Sequence, residues 1–166
     1  MIIRSEKIQD VEKIQNVIVA AFQDHPHSQQ TEHKIVSALR TAEVLTLSLV
    51  AEDGAGEIIG HIAFSPVRVN DDAGAYYGLG PVAVRPDKQN QGIGAALIKE
   101  GMTQLKTLGA ELVVVMGDPE YCKRFGFLTR VGLSLKDVPS EYFMAFTYKN
   151  TLPKGEVFYH PAFFVT

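Results

Sequence analysis

One stretch near the middle of the chain combines residues that can bind an anion through main-chain groups. Val82 to Val84 have the pattern of a short buried strand, a polar bend follows, and Gly92-Ile-Gly94 stand where a helix begins. Glycine lets the backbone approach a ligand closely, and the first N–H groups of a helix have no partner inside the helix and attract anions. The spacing therefore predicts a phosphate-binding loop made of main chain.

The strand that leads into this loop cannot be regular, because Gly80-Pro81 lies within it. Proline has no N–H group to donate to a neighbouring strand, so the strand should contain a bulge or lie beside an unpaired neighbour. We expect it to diverge from the apolar strand Leu112–Met116 and to leave a slot between the two. An extended, amide-bearing arm of a ligand could fill that slot in the manner of an added strand.

Two other phosphate-binding motifs fit the sequence less well. Gly92-Ile-Gly-Ala-Ala-Leu97 partly matches a dinucleotide-binding fingerprint, with Asp118 downstream at a suitable distance. However, position 97 is Leu instead of Gly or Ala, and a polar segment separates the strand from the glycines where that motif needs a tight turn. The chain has no Gly-Lys-Ser/Thr sequence, which excludes a nucleoside-triphosphate loop of that kind.

The motif Gln89-x-x-Gly92-x-Gly94, placed after the strand Val82–Val84, resembles the acetyl-CoA motif of the GNAT N-acetyltransferase superfamily. A second segment, Tyr121-Cys-Lys-Arg-Phe-Gly-Phe127, resembles a later helix of that superfamily. The resemblance extends from the N-terminus to about residue 127 and is weaker in the tail. It implies acetyl-CoA as co-substrate, with the diphosphate of CoA on the loop amides and its pantetheine arm along the strand.

Within the superfamily, Gly117-Asp-Pro-Glu-Tyr121 and Tyr159-His-Pro-Ala-Phe163 look most like the YhbS-like group. Lys88, Lys123 and Arg124 could meet CoA phosphates or could equally be ordinary surface cations, and Lys123 is included in the expected site. The cofactor-binding residues predicted in this way are Val82, Ala83, Val84, Gln89, Asn90, Gln91, Gly92, Ile93, Gly94, Ala95 and Lys123.

The resemblance assigns the oxyanion-stabilising N–H group to Val82 but leaves the proton donor for the departing thiolate open. GNAT enzymes commonly carry Tyr four residues before the Gly of the Gly-Phe pair, and here Cys122 occupies that position beside Tyr121. Tyr121 could reach the sulfur through a shifted helix start, or Cys122 could donate, with a reference pKa of about 8.5 against ~10 for Tyr. Alternatively, no side-chain acid operates. An acyl-enzyme on Cys122 lacks an obvious His–Asp partner nearby in sequence.

A general base is harder to assign, and no metal is expected. The polar segment that forms one wall of the acceptor site in the family contains Asp24, His25, His27, Glu32 and His33, and His61 lies on a strand. Such a segment could equally be a solvated connection. The two histidines flanking Pro26 lack further metal-ligating residues at a suitable spacing.

The composition is that of an ordinary globular chain of 166 residues, 46% hydrophobic and 21% charged. A net charge of −3 gives no general attraction for nucleic acid or an anionic membrane, so an anionic ligand must depend on local dipoles and a few cations. The single cysteine excludes an internal disulfide and favours a reducing compartment, and we find no signal peptide or membrane-spanning run. These features predict a cytoplasmic protein.

Hydrophobic periodicity predicts a single α/β domain, 1–166, with a mixed, mostly antiparallel sheet flanked by helices. Val11, Ile14 and Ile18 share one face of a first helix that ends at Phe22. The other expected elements are strands at 2–4, 45–51, 58–69 with an interruption at Pro66, 76–84, 112–116, 143–148 and 157–165, and helices at 31–39 and 92–108. The apolar tail is expected to be a buried edge strand, with a homodimer contact as the alternative.

The sequence therefore predicts an N-acetyltransferase that moves an acetyl group from acetyl-CoA to a primary amine by direct attack in a ternary complex. The acceptor would be a small-molecule amine or a protein N-terminus. The alternative, from another class, is a catalytically weak or inactive module that binds acyl-CoA as a sensor. The cysteine at position 122 keeps that alternative open.

Overall fold

A computed structural model of the chain describes residues 1–166. The strands are β1 (Ile2–Ser5), β2 (Leu47–Glu52), β3 (Ile58–Val69), β4 (Tyr76–Val84), β5 (Leu112–Met116), β6 (Leu133–Ser134), β7 (Phe143–Thr147) and β8 (Gly155–Tyr159). The helices are α1 (Val11–Phe22), α2 (Glu32–Thr41), α3 (Ile93–Thr107) and the short α4 (Pro119–Cys122). Five 3-10 turns complete the chain, at Ile8–Asp10, Pro86–Lys88, Lys123–Phe125, Ser140–Tyr142 and Pro161–Phe164.

The strands form one mixed sheet in the order β1-β2-β3-β4-β5-β7, and β8 pairs with β3 beyond the end of β2. All pairs on this path are antiparallel except β4 with β5, which the crossover helix α3 connects. The short β6 pairs with β8 in parallel. This architecture confirms the predicted fold class of a single α/β domain with a mostly antiparallel sheet flanked by helices.

Helix α3 packs very closely on one face of the sheet. Leu97 and Leu105 are 0% exposed, and both belong to the apolar core between α3 and the sheet. Between them, a Cβ atom at Gly101 would lie 2.2 Å from the ring of Phe64, so only glycine permits this approach. The close packing fixes the position of the helix N-terminus relative to β4.

Helices α1 and α2 cover the opposite face. Ile14, Val17 and Ile18 of α1 are buried against Val50 and Ala63 of the sheet. The prediction for α1 is confirmed, and α2 begins one residue later and ends two residues later than the predicted 31–39. No helix of the chain is both long enough and apolar enough to cross a membrane.

The predicted interruption of β3 at Pro66 is wrong, because the strand continues through the proline and pairs it with Tyr77. The carbonyl of Phe64 accepts from Thr46 N–H at 2.9 Å, so alternate residues of β3, including Pro66, face the β2 side. Pairing with β2 ends at Phe64, and pairing with β8 begins only at Val67. The missing N–H therefore falls in the gap between two neighbours and costs no ladder hydrogen bond.

The predicted strand from Val157 to Val165 is also wrong in its second half. Strand β8 ends at Tyr159, and Pro161–Phe164 form a 3-10 turn that contacts α2. His160 begins the turn, since its Nδ1 accepts a hydrogen bond from Ala162 N–H at 3.0 Å. The tail thus joins the sheet to α2, and the alternative of a homodimer contact stays a prediction.

Candidate functional site

The site begins where β4 loses one of its two neighbours. Strand β4 pairs in parallel with β5 only from Tyr76 to Gly78, and the last pair is Gly78 with Val114. On its other side β4 stays paired with β3 up to Val84, with a register shift at Gly80-Pro81. The predicted bulge and the predicted divergence from β5 are confirmed. The second half of β4 therefore has one paired edge and one edge without a strand.

Two main-chain N–H groups point from β4 toward the edge without a strand. Arg85 N–H donates to the carbonyl of Ile59 at 2.9 Å, and the ladder continues in register through Ala83. In an antiparallel ladder only alternate residues bond to the same neighbour. Arg85 and Ala83 thus face β3, whereas the N–H groups of Val82 and Val84 face the open edge.

The loop after β4 is held to the strand by a side chain. Gln89 Nε2 donates to the carbonyl of Val84 at 3.1 Å, after a 3-10 turn at Pro86–Lys88. Asn90 and Gly92 both adopt the left-handed conformation, with φ of 62° and 83°. The positive φ at position 92 explains the glycine there, because left-handed backbone is strained for other residues. The loop thus returns the chain to the end of β4, where α3 begins.

The N-terminus of α3 presents free main-chain donors at this point. Its first helical hydrogen bond runs from Ala96 N–H to the carbonyl of Gly92 at 3.0 Å. The N–H groups of Ile93, Gly94 and Ala95 have no acceptor inside the helix. Ile93 buries its side chain in the core, while Gly94 and Ala95 are half-buried. A fifteen-residue helix directs its positive dipole end toward the same place.

Tyr121 reaches this N-terminus from α4. A Cβ atom at Gly94 would lie 3.3 Å from the Tyr121 hydroxyl oxygen and 3.7 Å from a methyl carbon of Val84. Burial raises the pKa of Tyr121, so the phenol keeps its proton near neutral pH. The Arg124 guanidinium lies 5.2 Å from the centre of the Tyr121 ring. Of the two candidate acids, Tyr121 therefore has its hydroxyl beside the helix N-terminus and the end of β4.

Cys122 points elsewhere, into the core between α3 and the sheet. Its sulfur would lie 3.4 Å from a Cβ atom at Gly117, and burial raises the pKa of the Cys122 thiol to about 11. The lower reference pKa of a cysteine thiol, which favoured Cys122 over Tyr121 as the proton donor, therefore does not apply to this buried side chain. A neutral, buried thiol is also a poor nucleophile, which argues against an acyl-enzyme.

The cations near the loop are partly neutralised. Lys123 Nζ lies 3.1 Å from a carboxylate oxygen of Glu120, and Arg85 Nε lies 2.7 Å from one of Asp87. All four of these side chains are near the surface, where such pairs contribute little to stability and exchange readily. Either cation can leave its carboxylate for a phosphate. No contact fixes Lys123 beside the loop, so its role at a CoA phosphate stays a prediction.

His61 is the most buried of the candidate bases, and it is 0% exposed. Its Nε2 lies 2.8 Å from Ser48 Oγ, which also bonds Glu6, and Glu6 pairs with Arg40. Burial lowers the pKa of His61 to about 4, so the ring is neutral at pH 7 and is a weak proton acceptor. The ring stands opposite Ala83 across the β3–β4 ladder, on the face that α1 covers.

The other candidate bases lie on or beside the connection between α1 and α2. Asp24, His25 and His27 are exposed, and Ser28 Oγ donates to Glu32 at 2.6 Å. Glu32 and His33 line a hollow with Phe22 at the end of α1. This hollow lies in the segment predicted to form one wall of the acceptor site, but its geometry does not identify a general base.

The edge of β4, the glycine-bearing loop and the N-terminus of α3 together offer main-chain groups that suit an elongated, anionic ligand with amide groups. Residues 10–127 match the family described as Acetyltransferase (GNAT) family, and the chain belongs to that family. Over 127 residues it is 38% identical to the uncharacterised N-acetyltransferase YhbS of Escherichia coli strain K12, covering 76% of this chain and 73% of that protein.

Two solved structures share the whole fold. A GNAT family acetyltransferase from Brucella melitensis in complex with acetyl-CoA is 45% identical, with a TM-score of 0.88 over 98% of this chain and 97% of that one. YhbS from Escherichia coli in complex with CoA is 32% identical, with a TM-score of 0.89 over 98% and 91% of the two chains. Family membership confirms the predicted resemblance, the predicted enzyme class of acetyl-CoA-dependent N-acetyltransferase and its co-substrate.

Proposed function

We propose that the chain transfers an acetyl group from acetyl-CoA to a primary amine by direct attack in a ternary complex. The observation that carries the proposal is the open edge of β4, which runs into the N-terminus of α3. This donor set fits coenzyme A, because unpaired strand amides suit the amide-bearing pantetheine arm and helix N-terminal amides suit the diphosphate. The structural relatives crystallised with acetyl-CoA and CoA support the same assignment.

In this proposal, the chain supplies binding and orientation through main-chain groups. The N–H of Val84 and the carbonyl of Val82 pair with the pantetheine arm, while the loop from Gln89 to Ala95 holds the diphosphate. Lys123 contributes a cation at the outer phosphates. Because most contacts come from backbone, the site depends on backbone geometry more than on the identity of side chains.

The reaction forms one bond and breaks one. Acetyl-CoA supplies the acetyl group as a thioester, the amine nitrogen bonds to its carbonyl carbon, and the C–S bond breaks with its electron pair on sulfur. Val82 N–H donates to the carbonyl oxygen as negative charge develops there. Tyr121 gives its proton to the sulfur and regains one from the amine through solvent. The products are an N-acetyl amine and free CoA.

The rival proposal is a module that binds acyl-CoA without catalysis, and it is favoured by Cys122 at the position where the family pattern has Tyr. The position of the Tyr121 hydroxyl beside Gly94 supports the enzyme instead. The acceptor, whether a small amine or a protein N-terminus, stays a prediction. The single cysteine fits a reducing compartment, so we place the reaction in the cytoplasm.

One assay separates the two proposals. Purified protein is mixed with acetyl-CoA and a panel of amines, and the release of free thiol is followed, with CoA affinity measured in parallel by calorimetry. We expect tight CoA binding and thiol release that depends on the amine. CoA binding without turnover of any amine would favour the sensor, and absence of CoA binding would overturn both.

A further inference from the structure

Two hydroxyl groups on the face of the sheet opposite α3 are buried and have no hydrogen-bond partner within the protein. They are Ser65 Oγ on β3 and Tyr159 Oη at the end of β8. Ser65 is 0% exposed. A buried hydroxyl without a partner loses its hydrogen bonds to water and gains none in return, so native proteins contain few. The CoA site described above uses neither group.

Both residues lie near Gly78 of β4. Ser65 pairs with Gly78 across the β3–β4 ladder, and Val67, the next residue of β3 on that face, pairs with Tyr159 across the β3–β8 ladder. A Cβ atom at Gly78 would lie 3.5 Å from Cε2 and Cζ of the Tyr159 ring. Ser65 and the phenol end of Tyr159 therefore project from the same face, next to a residue without a side chain.

Gly78 is also the last residue of β4 that pairs with β5, so the open edge begins there. The next residue of β4 on the same face is Gly80, where a Cβ atom would meet no atom within 4 Å. Strand β4 thus places no side chain between the two hydroxyls and the start of the open edge.

The rest of this face is enclosed by helices and by the tail. Helix α1 packs on β3 and β4, and the turn Pro161–Phe164, which follows Tyr159, contacts α2. The two hydroxyls therefore lie on the α1–α2 side of the sheet, the side where the sequence predicts the wall of the acceptor site.

We propose that Tyr159 Oη and Ser65 Oγ together hold the acceptor nitrogen beside the open edge of β4. This inference rests on the proposed function and adds the residues that position its second substrate. Each hydroxyl oxygen accepts one N–H of a neutral primary amine. Both N–H groups are then engaged, and the nitrogen lone pair is left free for the thioester carbon.

The neutral form of both groups fits this role. Burial raises the pKa of Tyr159 well above its ordinary value, so the phenol keeps its proton at any working pH and the pair of hydroxyls carries no charge. A hydroxyl pair without a charge favours the uncharged amine, which is the nucleophilic form. A secondary amine has one N–H and satisfies only one hydroxyl, so the subsite should prefer primary amines to their N-methyl derivatives.

The test compares Tyr159→Phe and Ser65→Ala with the unaltered protein, using butylamine, glycinamide and the N-methyl derivative of each. We expect kcat/KM for the primary amines to fall roughly two- to tenfold in each variant, as for the loss of one hydrogen bond. The preference for primary amines over their N-methyl derivatives should decrease by a similar factor. The affinity for CoA should stay unchanged, and Tm should not fall, because neither hydroxyl bonds to the protein.

Tyr148→Phe is the matched control, since the Tyr148 hydroxyl donates to the carbonyl of Met102 at 2.7 Å on the other face of the sheet. It should lower Tm and leave kcat/KM for amines unchanged. Unchanged amine kinetics in both Tyr159→Phe and Ser65→Ala would overturn the subsite while leaving the proposed function standing.

Binding of the amines to the CoA-loaded protein, measured by calorimetry, gives a readout that needs no turnover. We expect weaker binding in both variants than in the unaltered protein. If none of these amines binds the CoA-loaded unaltered protein, the subsite is refuted even though CoA itself binds. Failure of CoA to bind would instead refute the proposed function.

Discussion

The two halves of β4 differ in how far the sheet uses their main-chain groups. From Tyr76 to Gly78 the strand has a neighbour on each side, and its residues are mostly buried. From Leu79 to Val84 it keeps β3 and loses β5, after a bulge at Gly80-Pro81. The first half gives its hydrogen-bonding groups to the fold, whereas the second half leaves alternate groups for a ligand.

The difference depends on what stands beside each half. Beyond Gly78 the chain provides no third strand, and instead the N-terminus of α3 is brought close by the packing of Gly101 on Phe64. Helix donors thus follow strand donors along one continuous path. A ligand that is amide-bearing at one end and anionic at the other matches that order of donors.

The largest effect is expected for Tyr121, whose hydroxyl lies beside the N-terminus of α3 and the end of β4. Tyr121→Phe should lower kcat by about 10²–10⁴-fold if the phenol protonates the leaving sulfur. CoA affinity should change little, because the hydroxyl acts on the reaction and not on the diphosphate. Steady-state thiol release and calorimetry measure the two quantities.

Cys122→Ala is the matched comparison at the neighbouring position. Since Cys122 is buried in the core, this variant should lose stability and keep kcat within a few-fold of the unaltered protein. A larger loss of kcat in Cys122→Ala than in Tyr121→Phe would reverse the assignment. Equal, small losses in both variants would mean that no side-chain acid operates.

The pairing of the second half of β4 with β3 can be tested through His61 of β3, which stands opposite Ala83. Folding holds the pKa of His61 at about 4, below its ordinary 6.5, mainly through burial, so protonation favours the unfolded chain. Stability is then complete above pH 6.5 and declines as the pH falls toward 4. We expect a loss of about 2 kcal/mol between pH 7.5 and pH 5, measured by urea unfolding.

In His61→Gln this loss should largely disappear, whereas the exposed control His27→Gln should keep it. Glu6 and Asp10 have lowered pKa values in the folded chain, through their arginine partners among other causes, and they add acid sensitivity only at lower pH. Equal pH dependence in His61→Gln and in the unaltered protein would contradict a neutral, buried His61.

A smaller effect is expected from two glycines at opposite ends of α3. Gly92 and Gly109 both have left-handed backbone, with φ of 83° and 87°, and a Cβ atom at either would meet nothing within 4 Å. Gly92→Ala and Gly109→Ala should therefore lose similar stability, about 1–2 kcal/mol each. Only Gly92→Ala should also weaken CoA binding, by roughly tenfold for one displaced hydrogen bond. Equal CoA affinity in the two variants would refute the loop as the diphosphate site.

The sequence predicts the bulge of β4 and the start of α3 well because its signals there are local. Gly80-Pro81 shape the apolar strand that contains them, and the glycines at positions 92 and 94 shape the start of the following helix. Each signal acts on residues close to it in the chain. The strand Leu112–Met116 is confirmed to the residue, since a continuous apolar run admits few alternatives. Local chemistry was sufficient for these elements.

Contacts between distant segments could not be predicted in this way. Pro66 is compatible with its strand only because two different neighbours meet at that point. The approach of Ser65 and the Tyr159 ring to Gly78 needs three strands. Tyr121 and Cys122 are adjacent in sequence, so no spacing rule could show which of them reaches the N-terminus of α3. The apolar composition of the tail likewise gave no indication that β8 ends at Tyr159. The sequence His160-Pro161 was the one local feature that predicts this end.

The central claim concerns alternate main-chain N–H groups of β4, and amide hydrogen exchange measured by NMR tests it most directly. In the free protein, the amides of Val82 and Val84 should exchange quickly, while that of Ala83, bonded to β3, should be protected. Addition of saturating acetyl-CoA, without an amine, should slow Val82 and Val84 by at least about tenfold, as for a gained hydrogen bond, and leave Ala83 unchanged. Rates at Val82 and Val84 that do not respond to acetyl-CoA would contradict the account.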